Sequence, residues 1–192
     1  MAPAWGVLAV VLMASLLACS AKRPEFATLF GDEEIPLSPT DKAAVFAAVE
    51  TLFPLSSDGL RFEDPICGDV APGVEVTDLN GDGSPEVFVQ WGNTCTSGMT
   101  GRSLTLLTKD SGGQYQLQFG FPALGWIALE TIGQDWPDLR FGGPGFCHPV
   151  WTWQSGNYMF KCNLPEVPGG CASRDSACLD DRAGVATRFT TP

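Results

Sequence analysis

The chain has 192 residues, 44% of them hydrophobic and 17% charged, and its 22 acidic and 11 basic side chains give a formal net charge of −11. That length suits one domain able to bury about 70% of its unfolded surface. So acidic a surface repels phosphate backbones, which argues against nucleic acid as a partner and favours a solvated protein that gathers cations.

From Trp5 to Ala18 the chain is almost wholly apolar, broken only by Gly6 and Ser15, and Cys19 follows. The run is too short to span a bilayer and fits the apolar core of a signal peptide. Leu16-Leu17-Ala18-Cys19 resembles the lipobox of bacterial lipoproteins. That resemblance implies removal of residues 1–18 and acyl chains on Cys19, which anchor a protein stably once two or more are present. Ser20 is similar to the outer-membrane sorting choice of Gram-negative lipoproteins, so the expected location is the cell envelope, at the periplasmic face of the outer membrane. Residues 19–39, with Pro24, Pro36, Pro39 and the acidic Asp32-Glu33-Glu34, read as a linker from the lipid anchor. Thr40 reads as the cap of a single N-terminal helix over Asp41 to Phe53, where Val45, Phe46, Val49, Leu52 and Phe53 recur at helical spacing. Pro54 stops it.

Asp78-Leu79-Asn80-Gly81-Asp82-Gly83-Ser84-Pro85-Glu86 carries oxygen-bearing side chains at positions one, three, five and nine. Ca²⁺ takes six to eight oxygens, and alternate residues of a tight turn can aim theirs at one centre. Val74-Glu75-Val76-Thr77 before the loop and Val87-Phe88-Val89-Gln90-Trp91 after it both read as strands, and position twelve is Val89. An EF-hand needs flanking helices and a Glu at that position, so this loop caps a β-hairpin instead. Residues 76–87 resemble the repeat signature of FG-GAP and VCBS-type proteins. The resemblance implies calcium ligation by Asp78, Asn80, Asp82, the Ser84 carbonyl and Glu86. One good copy is present, with a faint echo over Gly133 to Leu139, so a propeller of repeats is not expected. The alternative is a polar Asp-Gly turn that binds no metal.

Further strands are expected at Ser103 to Lys109, Gln114 to Phe119, Trp126 to Ile132, Asp138 to Phe141, Val150 to Trp153 and Tyr158 to Lys161. Tyr115, Leu117 and Phe119 alternate with Gln116 and Gln118, the pattern of a sheet with one wet face. The sum is a mainly β (α+β) fold: an antiparallel, β-rich single domain over 40–164, stapled by disulfides, with an irregular tail over 165–192. With Cys19 assigned to lipid, Cys67, Cys95, Cys147, Cys162, Cys171 and Cys178 remain, an even set that reads as disulfides in an oxidising compartment. Six cysteines allow fifteen pairings. Local spacing favours Cys67 with Cys95 across the calcium hairpin, Cys147 with Cys162 at the open end of a hairpin turning at Ser155-Gly156, and Cys171 with Cys178 in the tail. Zinc is disfavoured, because there is one His and no Cys-x-x-Cys.

Catalytic readings are weaker. Asp110-Ser111-Gly112-Gly113 looks like the segment around a serine-protease nucleophile, but that arrangement needs an upstream His and His148 lies downstream. A turn explains it better. Trp91, Trp126, Trp136, Trp151 and Trp153 are expected to fill a core rather than line a sugar platform. The leading expectation is a calcium-binding, non-catalytic binding or structural lipoprotein with a protein or glycan partner. The alternatives are a hydrolase of envelope polymers using Glu75, Glu130, Asp135 or Asp138, and a proteinaceous inhibitor of an envelope enzyme.

Overall fold

A computed structural model describes residues 24–31, 34–171 and 178. Cys19 and the apolar run before it lie outside the described residues, as do Asp32, Glu33 and most of the tail. Two helices open the described chain, α1 (Pro24–Phe30) and α2 (Pro39–Leu52). Proline lacks an N–H and has its φ preset, so it suits the first position of a helix. Pro39 takes that position, which moves the cap from the expected Thr40 to Ser38, whose Oγ accepts from the Asp41 N–H at 3.1 Å. At the other end Phe53 N–H donates to Val49 O, and Pro54 follows.

The segment expected to be a linker is therefore partly core. Leu29, Phe30 and Leu37 are buried with Val45, Phe46 and Val49 of α2. Pro24 and Pro39, which suggested an extended spacer, each begin a helix. A third helix, α3 (Thr94–Ser97), is capped by Asn93, whose side chain accepts from Cys95 and Thr96 N–H groups. The single helix of the sequence reading is thus three among the described residues.

The rest is antiparallel β-structure. A small hairpin pairs β1 (Glu63–Asp64) with β2 (Gly68–Asp69). The first large sheet is a meander of β3 (Gly73–Thr77), β4 (Glu86–Trp91), β5 (Ser103–Lys109) and β6 (Tyr115–Pro122). The second holds β7 (Gly125–Leu129), β8 (Asp138–Gly142), β9 (Cys147–Gln154) and β10 (Asn157–Pro165), again in sequential order. Val87, Val89 and Leu107 pack under α2, while Phe88, Leu104 and Leu106 pack against Leu139, Phe141 and Tyr158 of the second sheet. The first sheet is the middle of three layers. That is why Val87, Phe88 and Val89 are all 0% exposed, the unbroken apolar run of a strand covered on both faces.

No wet face runs along β6. Its register shifts between Leu106↔Phe119 and Leu107↔Leu117, leaving Gln118 as the extra residue of a β-bulge. The bulge turns Tyr115 toward the helical core and Phe119 toward the second sheet, and leaves Leu117 half exposed. Gln118 fills the gap: its Oε1 accepts from Tyr158 N–H at 3.1 Å and its Nε2 donates to Thr108 Oγ1 at 2.8 Å.

Cys67 and Cys95 are bonded as expected, but Cys147 pairs with Cys171 and Cys162 with Cys178. The β9–β10 register explains the correction. The two-residue turn at Ser155-Gly156, both at positive φ, sets Gln154 opposite Asn157. Counting outward puts Cys147 opposite Pro165 and Cys162 opposite Val150. The two cysteines sit three residues apart along the ladder, about 10 Å, beyond the roughly 7 Å reach of a disulfide. Each tail cysteine is instead bonded to a strand of the second sheet.

Peptide mapping under non-reducing conditions should recover these three pairs and no Cys147–Cys162 peptide. Removing the 28-residue Cys67–Cys95 closure by a double Ser substitution should lower stability by about 2–4 kcal/mol, read from urea melts.

Candidate metal centre

Thr77 pairs with Glu86, and residues 78–85 close the hairpin between β3 and β4. Gly81 (φ +73°) and Gly83 (φ +81°) both take the left-handed backbone that a side chain would strain. Asp78 organises the turn, its Oδ1 accepting from Gly81 N–H at 2.8 Å and its Oδ2 from Gly83 N–H at 2.9 Å. Asn80 Oδ1 accepts from Asp82 N–H at 3.1 Å, and Asn80 Nδ2 donates to Asp82 Oδ2 at 2.8 Å. Asp82 Oδ1 in turn accepts from the main-chain N–H of Ser84 at 2.6 Å. Asn80, Asp82 and Ser84 are thus bonded to one another, and Asp78 joins them through the intervening Gly81 and Gly83 to close one hydrogen-bonded ring.

Glu86, the fifth, is different. As the first residue of β4 it is 2% exposed, and its Oε2 accepts from the Leu79 N–H at 2.7 Å. Burial, reinforced by the negative charges of Asp82 and Asp78, pushes its carboxyl up to about 7, against the opposing pull of the Leu79 N–H. Two residues outside the predicted ligand set support this corner. Leu79 turns its side chain onto the core between the sheets, and the Tyr115 hydroxyl donates to the Pro85 carbonyl at 3.2 Å. An apolar residue at the second position of an otherwise polar loop was the available signal for Leu79.

As they stand, no three His, Cys, Asp or Glu side chains among the described residues are grouped to hold a metal ion. The loop carboxylates are taken up by main-chain N–H groups and by the Asn80 amide. The donor set itself is chemically suited to a hard cation, since carboxylate, amide and carbonyl oxygens are what calcium prefers.

The other singled-out residues scatter. Glu75 Oε2 accepts from Trp126 Nε1 at 3.4 Å. Asp138 is buried and bridged to Lys161 Nζ at 2.6 Å, with its Oδ1 otherwise unpartnered. Glu130 and Asp135 line one open cavity of about 320 Å³ together with Leu79, Thr131, Ile132, Gln134 and Pro137. His148 Nε2 lies 3.0 Å from Glu166 Oε2. Asp110-Ser111-Gly112-Gly113 is a turn between β5 and β6, where Asp110 accepts from the N–H groups of Gly112 and Gln114. All five tryptophans named above pack against the two cores, with Trp136 and Trp153 stacked at 3.9 Å.

Searches of family models, curated proteins and solved structures find no match to this chain.

The Glu86 shift has a definite sign. Its carboxyl binds a proton more tightly folded than at its ordinary value of 4.5, so the stability it contributes is full below about 4.5 and is lost as pH rises through about 7. In chelator, Glu86→Gln should remove that pH dependence and stabilise the protein above neutrality. The gain has an upper bound of about 3 kcal/mol, the free-energy equivalent of raising the carboxyl from 4.5 to about 7. Melts of the wild type and variant across this range check it.

Proposed function

We propose that this chain is a calcium-binding, non-catalytic binding or structural lipoprotein of the bacterial cell envelope. The observation that carries the calcium reading is Glu86, a carboxylate 2% exposed, held near Asp78 and Asp82 with main-chain donors but no cation among its described hydrogen-bond partners. Uncompensated negative charge at a buried position is costly, and a bound divalent cation removes that cost. Asp78, Asn80, Asp82, the Ser84 carbonyl and Glu86 would hold it. Bound calcium supplies charge neutralisation and rigidity to the turn; the strands on either side supply its frame. The lipobox-like Leu16-Leu17-Ala18-Cys19 supports anchoring through Cys19, at the periplasmic face of the outer membrane. The partner is a protein or glycan of the envelope, and the net charge of −11 argues against nucleic acid.

The hydrolase reading has one observation in its favour, the cavity shared by Glu130 and Asp135. Activity on envelope polymers that disappears in both Glu130→Gln and Asp135→Asn would favour it over the non-catalytic reading.

Calcium should raise the melting temperature with a Kd of about 10⁻⁴ to 10⁻³ M, the range of exposed extracellular modules. At ten to a hundred times Kd the stabilisation is about 1 to 3 kcal/mol. Asp78→Ala or Asp82→Ala should abolish the response. Wild-type melts indifferent to both millimolar calcium and chelator would leave only a polar turn. Mass spectrometry of the purified protein tests the anchor: a mature N-terminus other than an acylated Cys19 overturns it.

A further inference from the structure

Asn80 is followed by Gly81, and glycine lacks the Cβ that would hinder attack of its own nitrogen on the preceding side chain. We propose that Asn80 is a site of spontaneous deamidation, held closed by the hydrogen-bonded ring of the loop, so that its modification records how often the loop opens. In the reaction the Gly81 nitrogen loses its proton to hydroxide and bonds to Asn80 Cγ. The Cγ–Nδ2 bond breaks, and ammonia leaves after taking a proton from water. The resulting five-membered succinimide is then opened by water at either carbonyl, giving aspartate or isoaspartate. No electrons are exchanged with any partner.

Three contacts oppose ring closure. The Gly81 N–H, the proton that must be lost, is donated to Asp78 Oδ1 at 2.8 Å. The Asn80 amide is fixed at both ends by Asp82, its oxygen accepting at 3.1 Å and its nitrogen donating at 2.8 Å. For nitrogen to meet Cγ, the amide must leave Asp82 and the Gly81 N–H must leave Asp78. All of these groups sit on an exposed loop, so the opening is local and does not require unfolding of the sheet. The protection needs no metal. Its consequence for metal binding rests on the calcium reading: aspartate would add a fourth carboxylate beside Asp78, Asp82 and Glu86, and isoaspartate would lengthen the main chain of the loop by one methylene.

The test is peptide-mapping mass spectrometry of the full-length protein after incubation in mildly alkaline buffer with chelator. Denatured, reduced protein under the same buffer provides the open reference. Conversion of Asn80 should be about tenfold or more slower in the folded protein, because the rate follows the open fraction. Asp78→Ala and Asp82→Ala, each verified as folded by circular dichroism, should move the folded rate toward the reference. Equal rates in folded and denatured wild type would overturn the proposal, and this comparison stands even if both variants fail to fold. A slower reaction in folded Asp78→Ala would also overturn it, since the carboxylate would then be the base that drives attack. Added calcium separates the two readings: further slowing supports both, whereas unchanged slow conversion in folded protein supports the closed ring and counts against calcium.

Discussion

The burial of β4 on both faces is the constraint from which the rest of this structure follows. Val87 and Val89 sit beneath α2 while Phe88 sits between the sheets, all three with no exposed surface. A one-residue slip in such a strand exchanges the contents of two cores at once, so its register is strongly specified. Its neighbours inherit that certainty: β3 is paired over five residues and β5 over five more. The loop at 78–85 hangs from the start of this strand. An exposed turn is therefore attached to the most tightly determined element of the molecule, and Glu86 is where the two regimes meet.

Acidic residues elsewhere are handled differently. Asp41 at the start of α2 is bridged to Lys109 at the end of β5 at 2.7 Å, and Asp138 to Lys161 at 2.6 Å. Lys161 falls at the register shift of β10, between Phe160 and Cys162, and the bulge carries its ammonium past β9 to the buried carboxylate on β8. Glu86 has no comparable cation among its described hydrogen-bond partners. With a net charge of −11 the chain has few basic groups to spare; Lys109 ties α2 to the first sheet and Lys161 ties two strands of the second, whereas the hydrogen bonds described at the loop involve no basic side chain.

Local patterns in the sequence carried as far as local physics does. Strand β5 was legible to the residue, because β-branched and leucine residues fill Ser103–Lys109 between clear turn signals. The Asp110-Gly113 turn and the pairing of Cys67 with Cys95 were legible for the same reason. What escaped depends on distant partners. Leu29 and Phe30 make α1 part of the core only because Val45 and Val49 lie opposite them. The bulge at Gln118 is favoured because both ends of that side chain find partners 10 and 40 residues away. At the candidate centre the ring of Asp78, Asn80 and Asp82 follows from spacing, whereas the burial of Glu86 follows from tertiary packing. The arithmetic of the β9–β10 turn was available and rules out a Cys147–Cys162 bond, but the choice between the two pairings that remain depends on where the tail packs.

The two disulfides of the second sheet interleave along the chain, Cys147 to Cys171 and Cys162 to Cys178, so neither closed loop contains the other. Such an arrangement changes how the domain bears mechanical load. Tension applied at the C-terminal end reaches the folded body through Cys178 and enters β10 at Cys162, inside the strand rather than at its end. The force then bypasses Asn163 to Pro165, whose pairing with β9 is not loaded first. Beyond it, the Cys147–Cys171 bridge joins β9 to the segment following β10, so parting the two strands leaves them covalently tethered. Interlaced bridges of this kind let a small domain resist pulling at its tail with little added core.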